Sequence, residues 1–189
     1  MRQGGNVPVF PTAELQSFWT SWIQLRGSRA LPHYRDLFEG LPPTLIPHMV
    51  VLENMADDNH LVRFVGTSVV SMWGTDNTND ILAAVVPAAF LDGFSYLIRI
   101  TLAHPCGALS QINVESAQGI SIHLNVIVLP VANDPGRPER TVIFTNPAPH
   151  KDDETLMIST VHSESREWLD IGFGTPETSQ PALAMAIHP

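Results

Sequence analysis

The apolar positions of this chain change rhythm along its length. From 13 to 26, Leu15, Phe18, Trp19, Trp22, Ile23 and Leu25 recur at near-helical spacing, with Thr12 placed to cap a helix and Gly27 to stop it. A short helix is expected over 34–41. From 49 the pattern turns to β-branched runs: a strand over 49–54, a turn at Asp57-Asp58-Asn59 and a returning strand over 61–65. Thr67 to Trp73 reads as a short helix. A polar link over 75–80 and a turn over 81–86 follow, then a longer helix from Pro87, which suits a first helical turn, to about Ala103. His104-Pro105-Cys106-Gly107 breaks it. Strands are expected over 108–116, 120–129 and 141–146, with Ala117-Gln118-Gly119 as a tight hairpin turn and Asn133-Asp134-Pro135-Gly136 opening a longer loop.

Two strands, several short helices, one longer helix and three strands predict an α+β fold: a five-stranded antiparallel sheet with helices on one face. The expected organisation is a flexible start over 1–11, an N-terminal helical extension over 12–48, the sheet-bearing core over 49–147 and a tail over 148–189. After Pro147-Ala148-Pro149 comes a solvated charge run, Lys151-Asp152-Asp153-Glu154. The tail is expected to hold a short amphipathic helix over 159–169 carrying Val161, Trp168 and Leu169.

Several segments occur in a telling order: Phe18-Trp19, Leu25-Arg26, Ser28-Arg29-Ala30-Leu31-Pro32, Ile46 to Leu52, and Arg63-Phe64-Val65-Gly66-Thr67. In that order they resemble a family of small stand-alone bacterial PAS proteins, mostly alphaproteobacterial, over roughly 14–147. The chain departs from the family pattern at Asp76-Asn77-Thr78-Asn79, where a glycine is expected after the threonine. The resemblance implies a PAS-like fold with a pocket between the inner sheet face and the helices. It also implies a sensory or regulatory role exercised through protein contact.

Composition narrows the field. The net charge is −9 with only 10 Lys and Arg in 189 residues and no basic cluster, which argues against nucleic acid and anionic membranes as partners. No apolar run is long enough for a signal peptide or a membrane span, so a cytoplasmic protein without membrane insertion is expected. The lone cysteine, Cys106, excludes an internal disulfide.

The motifs of chemistry are missing. The eight histidines, at 33, 48, 60, 104, 123, 150, 162 and 188, are scattered, with no pair at i, i+4 and one cysteine to help. No Gly-rich phosphate loop, dinucleotide fingerprint or Gly-x-Ser-x-Gly elbow occurs. His104 and Cys106 flank a helix-breaking proline in what the resemblance makes a connector. Cys106 does not lie in the Asn-Cys-Arg-Phe-like segment of photoreactive flavin PAS domains, and a Cys-x-x-Cys-His haem motif is absent. A b-type haem needs only one histidine, so no cofactor is assigned. His162-Ser163-Glu164-Ser165-Arg166-Glu167 lacks the apolar positions and the proline of a kinase phosphoacceptor helix. No diguanylate cyclase, phosphodiesterase or helix-turn-helix signature follows. The expectation is no enzyme, no catalytic residue and no metal site, with any output passed through an unidentified signalling partner.

Candidate binding residues follow from the pocket that the resemblance implies. Phe90, Phe94, Leu97 and Ile98 on the longer helix are expected to face the sheet, and Trp73 to stand at the pocket wall as core or as a ligand platform. On the strand 120–129, Ile120, Ile122, Leu124, Val126 and Val128 form one wholly apolar face, and Ser121, His123, Asn125, Ile127 and Leu129 the other. The apolar face should be core. The mixed face would meet solvent, the N-terminal helix or a partner, while His123 and Asn125 inside would signal a ligand. The expected ligand-binding set is therefore Trp73, Phe90, Phe94, Ile98, His123 and Asn125. Phe18, Trp19 and Trp22 occupy more than one helical face. They are expected to pack partly on the chain's own sheet and partly in a homodimer interface. Two functions fit: a sensor that binds a small molecule or partner protein, or an interaction domain with a closed core and no ligand.

Overall fold

The computed structural model describes residues 8–57, 59–86, 88–116, 121–146 and 158–177. Helix α1 (Ala13–Arg26) begins where the Thr12 hydroxyl accepts from the Leu15 amide at 3.3 Å, and ends at Gly27, whose φ of +58° favours glycine. Helix α2 (Tyr34–Gly40) starts from a reciprocal cap: the Arg35 amide donates to His33, and the His33 amide donates to Asp36 Oδ2 at 3.2 Å. A 3-10 turn (Ile46–His48) leads into strand β1 (Met49–Asn54). The hairpin to β2 (His60–Val65) turns through Asp57 in the left-handed region, and the Met55 amide closes it on the Asn59 carbonyl at 2.8 Å.

Helix α3 (Thr67–Trp73) ends at Gly74 in the left-handed conformation. The polar link then passes through Asn79 at φ +75°. Asparagine tolerates this conformation better than most residues, so it supplies what a glycine after Thr78 would have supplied. A second 3-10 turn (Leu82–Ala84) precedes α4 (Ala88–Ala103). Strands β3 (Gly107–Ser116), β4 (Ser121–Val131) and β5 (Arg140–Thr145) follow, then β6 (Ile158–Leu169). The expected turn at 117–119, the helix start at Pro87, the charge run 151–154 and most of the tail lie outside the described residues.

One antiparallel sheet holds all these strands, in the order β2-β1-β5-β4-β3-β6. The sheet thus has six strands where five were expected, and the helix expected over 159–169 is instead strand β6. The reason is tertiary. Strand β3, ten residues long, would otherwise present an open edge, and β6 pairs along its length from Gly107↔Leu169 to Ser116↔Ile158. Two register irregularities, between Gln111 and Ile112 and between Glu115 and Ser116, interrupt the alternation that would have marked 158–169 as a strand.

Helices cover both faces of the sheet. On one face α1 and α2 bury Met49, Val51, Ile127, Leu129, Val142 and Phe144; on the other, α3 and α4 bury Val50, Leu52, Leu124, Val126, Val128 and Ile143. Period two sends neighbours on each strand to opposite layers. This explains why β1 and β4 read as near-continuous apolar runs. The N-terminal segment is therefore a structural half of the core.

Phe18 and Trp22 are fully buried and Trp19 is 7% exposed, and Phe18 stacks on Phe144 of β5 at 4.5 Å between ring centres. These side chains belong to the chain's own core, which corrects the expectation that they project into a homodimer interface. The sheet face beneath them is wide enough to bury aromatics from more than one side of α1, because Phe10 and Leu169-Ile171 close over the flank.

Candidate functional site

The site grows from the α3/α4 layer. Gly66 lets β2 run straight into α3. Its amide donates to the Met49 carbonyl at 2.8 Å, and a Cβ at that position would come within 2.6 Å of the Ile46 carbonyl oxygen. This close passage packs the start of α3 against the 3-10 turn before β1, and Trp73 lies at the other end of the helix. Helix α4 then crosses the same face with Phe90 and Phe94 stacked at 5.3 Å.

Between these helices and the sheet lies a cavity of about 490 Å³. Its sheet wall is Val50, Ile112, Val114, Leu124, Val126 and Ile143; its helical wall includes Met72, Trp73, Phe90 and Phe94. Polar groups are few: Thr75, Asn77 and Thr145. Among the described residues none that lines the cavity is titratable. The volume falls in the range of small-molecule pockets in general.

The expected ligand set divides. Trp73, Phe90 and Phe94 line the cavity together. Ile98 faces the same layer but is 1% exposed and packs beneath it in the core. His123 and Asn125 are corrected: they lie on the opposite sheet face from Leu124 and Val126, outside the cavity. Their neighbours are polar. His123 pairs in register with Asn113 and Asn125 with Gln111, while Ser121 and Ser165 donate to Asn113 and Gln111 at 2.7 and 2.9 Å. The mixed face of β4 is thus solvent-facing at its polar end and covered by the N-terminal helices at Ile127 and Leu129. The lining contributions of Ile112 and Val114 from β3, and of Ile143 from β5, were not singled out from sequence. The signal available was period two, which places them on the inner face once the strand order is known.

Cys106 and Glu53 serve structure. Cys106 is buried, and burial together with the nearby Asp170 carboxylate pushes its thiol up to about 12. Glu53 is ion-paired to Arg63 at 3.0 Å and Arg140 at 2.7 Å across β1, β2 and β5. Among the described residues no three His, Cys, Asp or Glu side chains gather as a metal site, and no helix is long and apolar enough to cross a membrane.

Comparison with known proteins bears on this arrangement. No curated protein matches the sequence. The profile of the PAS domain family matches residues 10–143, which takes in α1 through most of β5 and every described lining residue of the cavity except Thr145. An antiparallel sheet in the order β2-β1-β5-β4-β3, an α3/α4 layer enclosing an apolar cavity and a match over most of the chain agree with one another: this chain belongs to the PAS domain family.

Proposed function

We propose that the protein is a sensory or regulatory module that takes a small, predominantly apolar molecule into the cavity beneath α3 and α4 and passes its state on by contact with a partner protein. PAS domains are in general sensory and interaction modules and typically not enzymes. The finer reading rests on one observation: a cavity of about 490 Å³ walled mostly by aliphatic and aromatic side chains, with no titratable group among the described lining residues. Displacing water from such walls favours binding by about 25 cal/mol per Å² of apolar surface covered. Trp73, Phe90 and Phe94 are the ligand contacts, and Ile98 supports them from below. The cavity walls move with α3 and α4, so a ligand that changes their packing changes the surface these helices show to a partner.

The test is a native mass spectrum of freshly purified protein, followed by denaturation and small-molecule mass spectrometry of what is released. An adduct that leaves on denaturation, and that Val126→Phe abolishes in a natively folded protein, supports the reading. A bare mass in every preparation, together with no response to the apolar dye Nile red, would return the chain to an interaction domain without a ligand.

A further inference from the structure

A second cavity, of about 370 Å³, shares no lining residue with the first. It lies where the end of the β1–β2 hairpin meets α4, and His60 and Ser95 both line it. These two are 4% and 7% exposed, so they are desolvated groups at the wall of a space. Ser95 Oγ lies 3.0 Å from His60 Nε2. On the other side of the ring, His60 Nδ1 lies 3.0 Å from Asn54 Oδ1. The Asn54 amide nitrogen is already engaged, donating to Oγ1 of fully buried Thr141 at 2.9 Å.

Asn54, with its NH₂ on Thr141, turns its oxygen to the imidazole. In the tautomer that carries the proton on Nδ1, Nε2 accepts from the Ser95 hydroxyl. Nucleophile, base and orienting group stand in line. The orientation of Ser95 is itself informative. A hydroxyl inside a helix ordinarily bonds back to a carbonyl of the preceding turn. Ser71 and Thr101 do so, to Thr67 and Ile98. Ser95 instead points across to β2.

We propose that Ser95 is an acyl acceptor, with His60 as its general base and Asn54 as the residue that positions the base. The substrate class is a small activated ester. The Ser95 oxygen attacks the ester carbonyl carbon and its proton passes to His60 Nε2. The carbonyl-carbon bond to the leaving oxygen breaks, and that oxygen takes the proton from His60, so the products are acyl-Ser95 and an alcohol. Arg99, one turn further along α4, lines the same cavity, as do the carboxylates of Asp57 and Asp92. This site is independent of the apolar cavity and stands or falls without it.

The experiment uses the full chain and p-nitrophenyl acetate, read by p-nitrophenolate release and by peptide mass mapping of the acetyl group. The expected result is one acetyl on Ser95, lost in Ser95→Ala, with the rate falling by about 100-fold in His60→Gln. Asn54→Asp, which still accepts from Nδ1–H, should stay within a few-fold of wild type, whereas Asn54→Leu should not. Thermal melts check that each variant is folded. Natively melting wild type with no acetyl on Ser95, or with acetyl on other residues only, overturns the proposal without need of a variant. So does a folded His60→Gln that acetylates at the wild-type rate.

Discussion

Glu53 of β1 receives two bonds from Arg140 of β5 on a single carboxylate oxygen, from Nη2 at 2.7 Å and Nε at 3.1 Å. Its other oxygen takes Arg63 of β2 at 3.0 Å, and the Arg140 guanidinium lies 3.8 Å from the Tyr34 ring centre of α2. One carboxylate therefore ties three adjacent strands together and, through Arg140, the N-terminal helices. Burial pushes the Glu53 pKa up, but the hydrogen bonds and charges of the two arginines outweigh it, and the net shift is downward.

A lowered carboxylate pKa has a definite consequence for stability. The contribution of Glu53 is present above the unfolded carboxylate pKa and is lost as pH falls through the lower folded value. Wild type should therefore lose stability on acidification below about pH 4. Glu53→Gln should cost about 3 kcal/mol at neutral pH, because it leaves arginine charge half-buried, and should flatten that acid limb. Urea unfolding as a function of pH measures both; an unchanged acid limb would remove Glu53 from the account.

Among the described residues Trp22 is the largest fully buried side chain. Trp22→Ala should destabilise the protein by about 3–5 kcal/mol through the cavity it leaves. The effect belongs in the urea midpoint. A variant with an unshifted midpoint but weaker association in the ultracentrifuge would move this side chain back to an interface.

Gly66 is required by proximity and not by dihedral, since its φ is −70°. Any side chain there drives into the backbone of Pro47 and Ile46. Gly66→Ala should cost about 3 kcal/mol and loosen the start of α3. Native-state hydrogen exchange should show the loss in α3 before the strands that α1 covers; uniform protection across the variant would contradict this.

Cys106 should be inert in the folded protein. With its thiol pushed up to about 12, almost no thiolate exists at pH 8, and the residue is fully buried. Ellman's reagent should titrate one thiol in denaturant and react in native buffer only at the rate of unfolding. Fast native labelling would show that the connector between α4 and β3 opens.

Much of the fold was readable from local pattern. Thr12 and Gly27 delimit α1, and the strands at 49–54, 107–116 and 140–145 lie within a residue or so of expectation. Caps, turns and period two act over a few residues, so they are written in neighbours. Trp73, Phe90 and Phe94 line the cavity as expected, Trp73 at the pocket wall that the family resemblance implies and Phe90 and Phe94 on the sheet-facing side of the longer helix.

What lay beyond the sequence were relations between distant segments. Residues 158–169 carry serines, threonines and charges with no clean alternation, and they became β6 only because β3 offers an edge. The depth of Phe18, Trp19 and Trp22 depended on how much sheet α1 could cover, a quantity set by β4, β5 and the turn after β6. His123 and Asn125 share a strand with the cavity wall and differ from it by one residue of phase; which phase faces α4 was settled by packing on both faces of the sheet. Ser95, His60 and Asn54 looked like unrelated polar residues until the hairpin register set Asn54 opposite His60 and α4 laid Ser95 against them. Local chemistry determines elements, because their bonds close within a turn or a hairpin. Burial, faces and constellations are decided by tertiary structure, because they depend on which elements exclude water from one another.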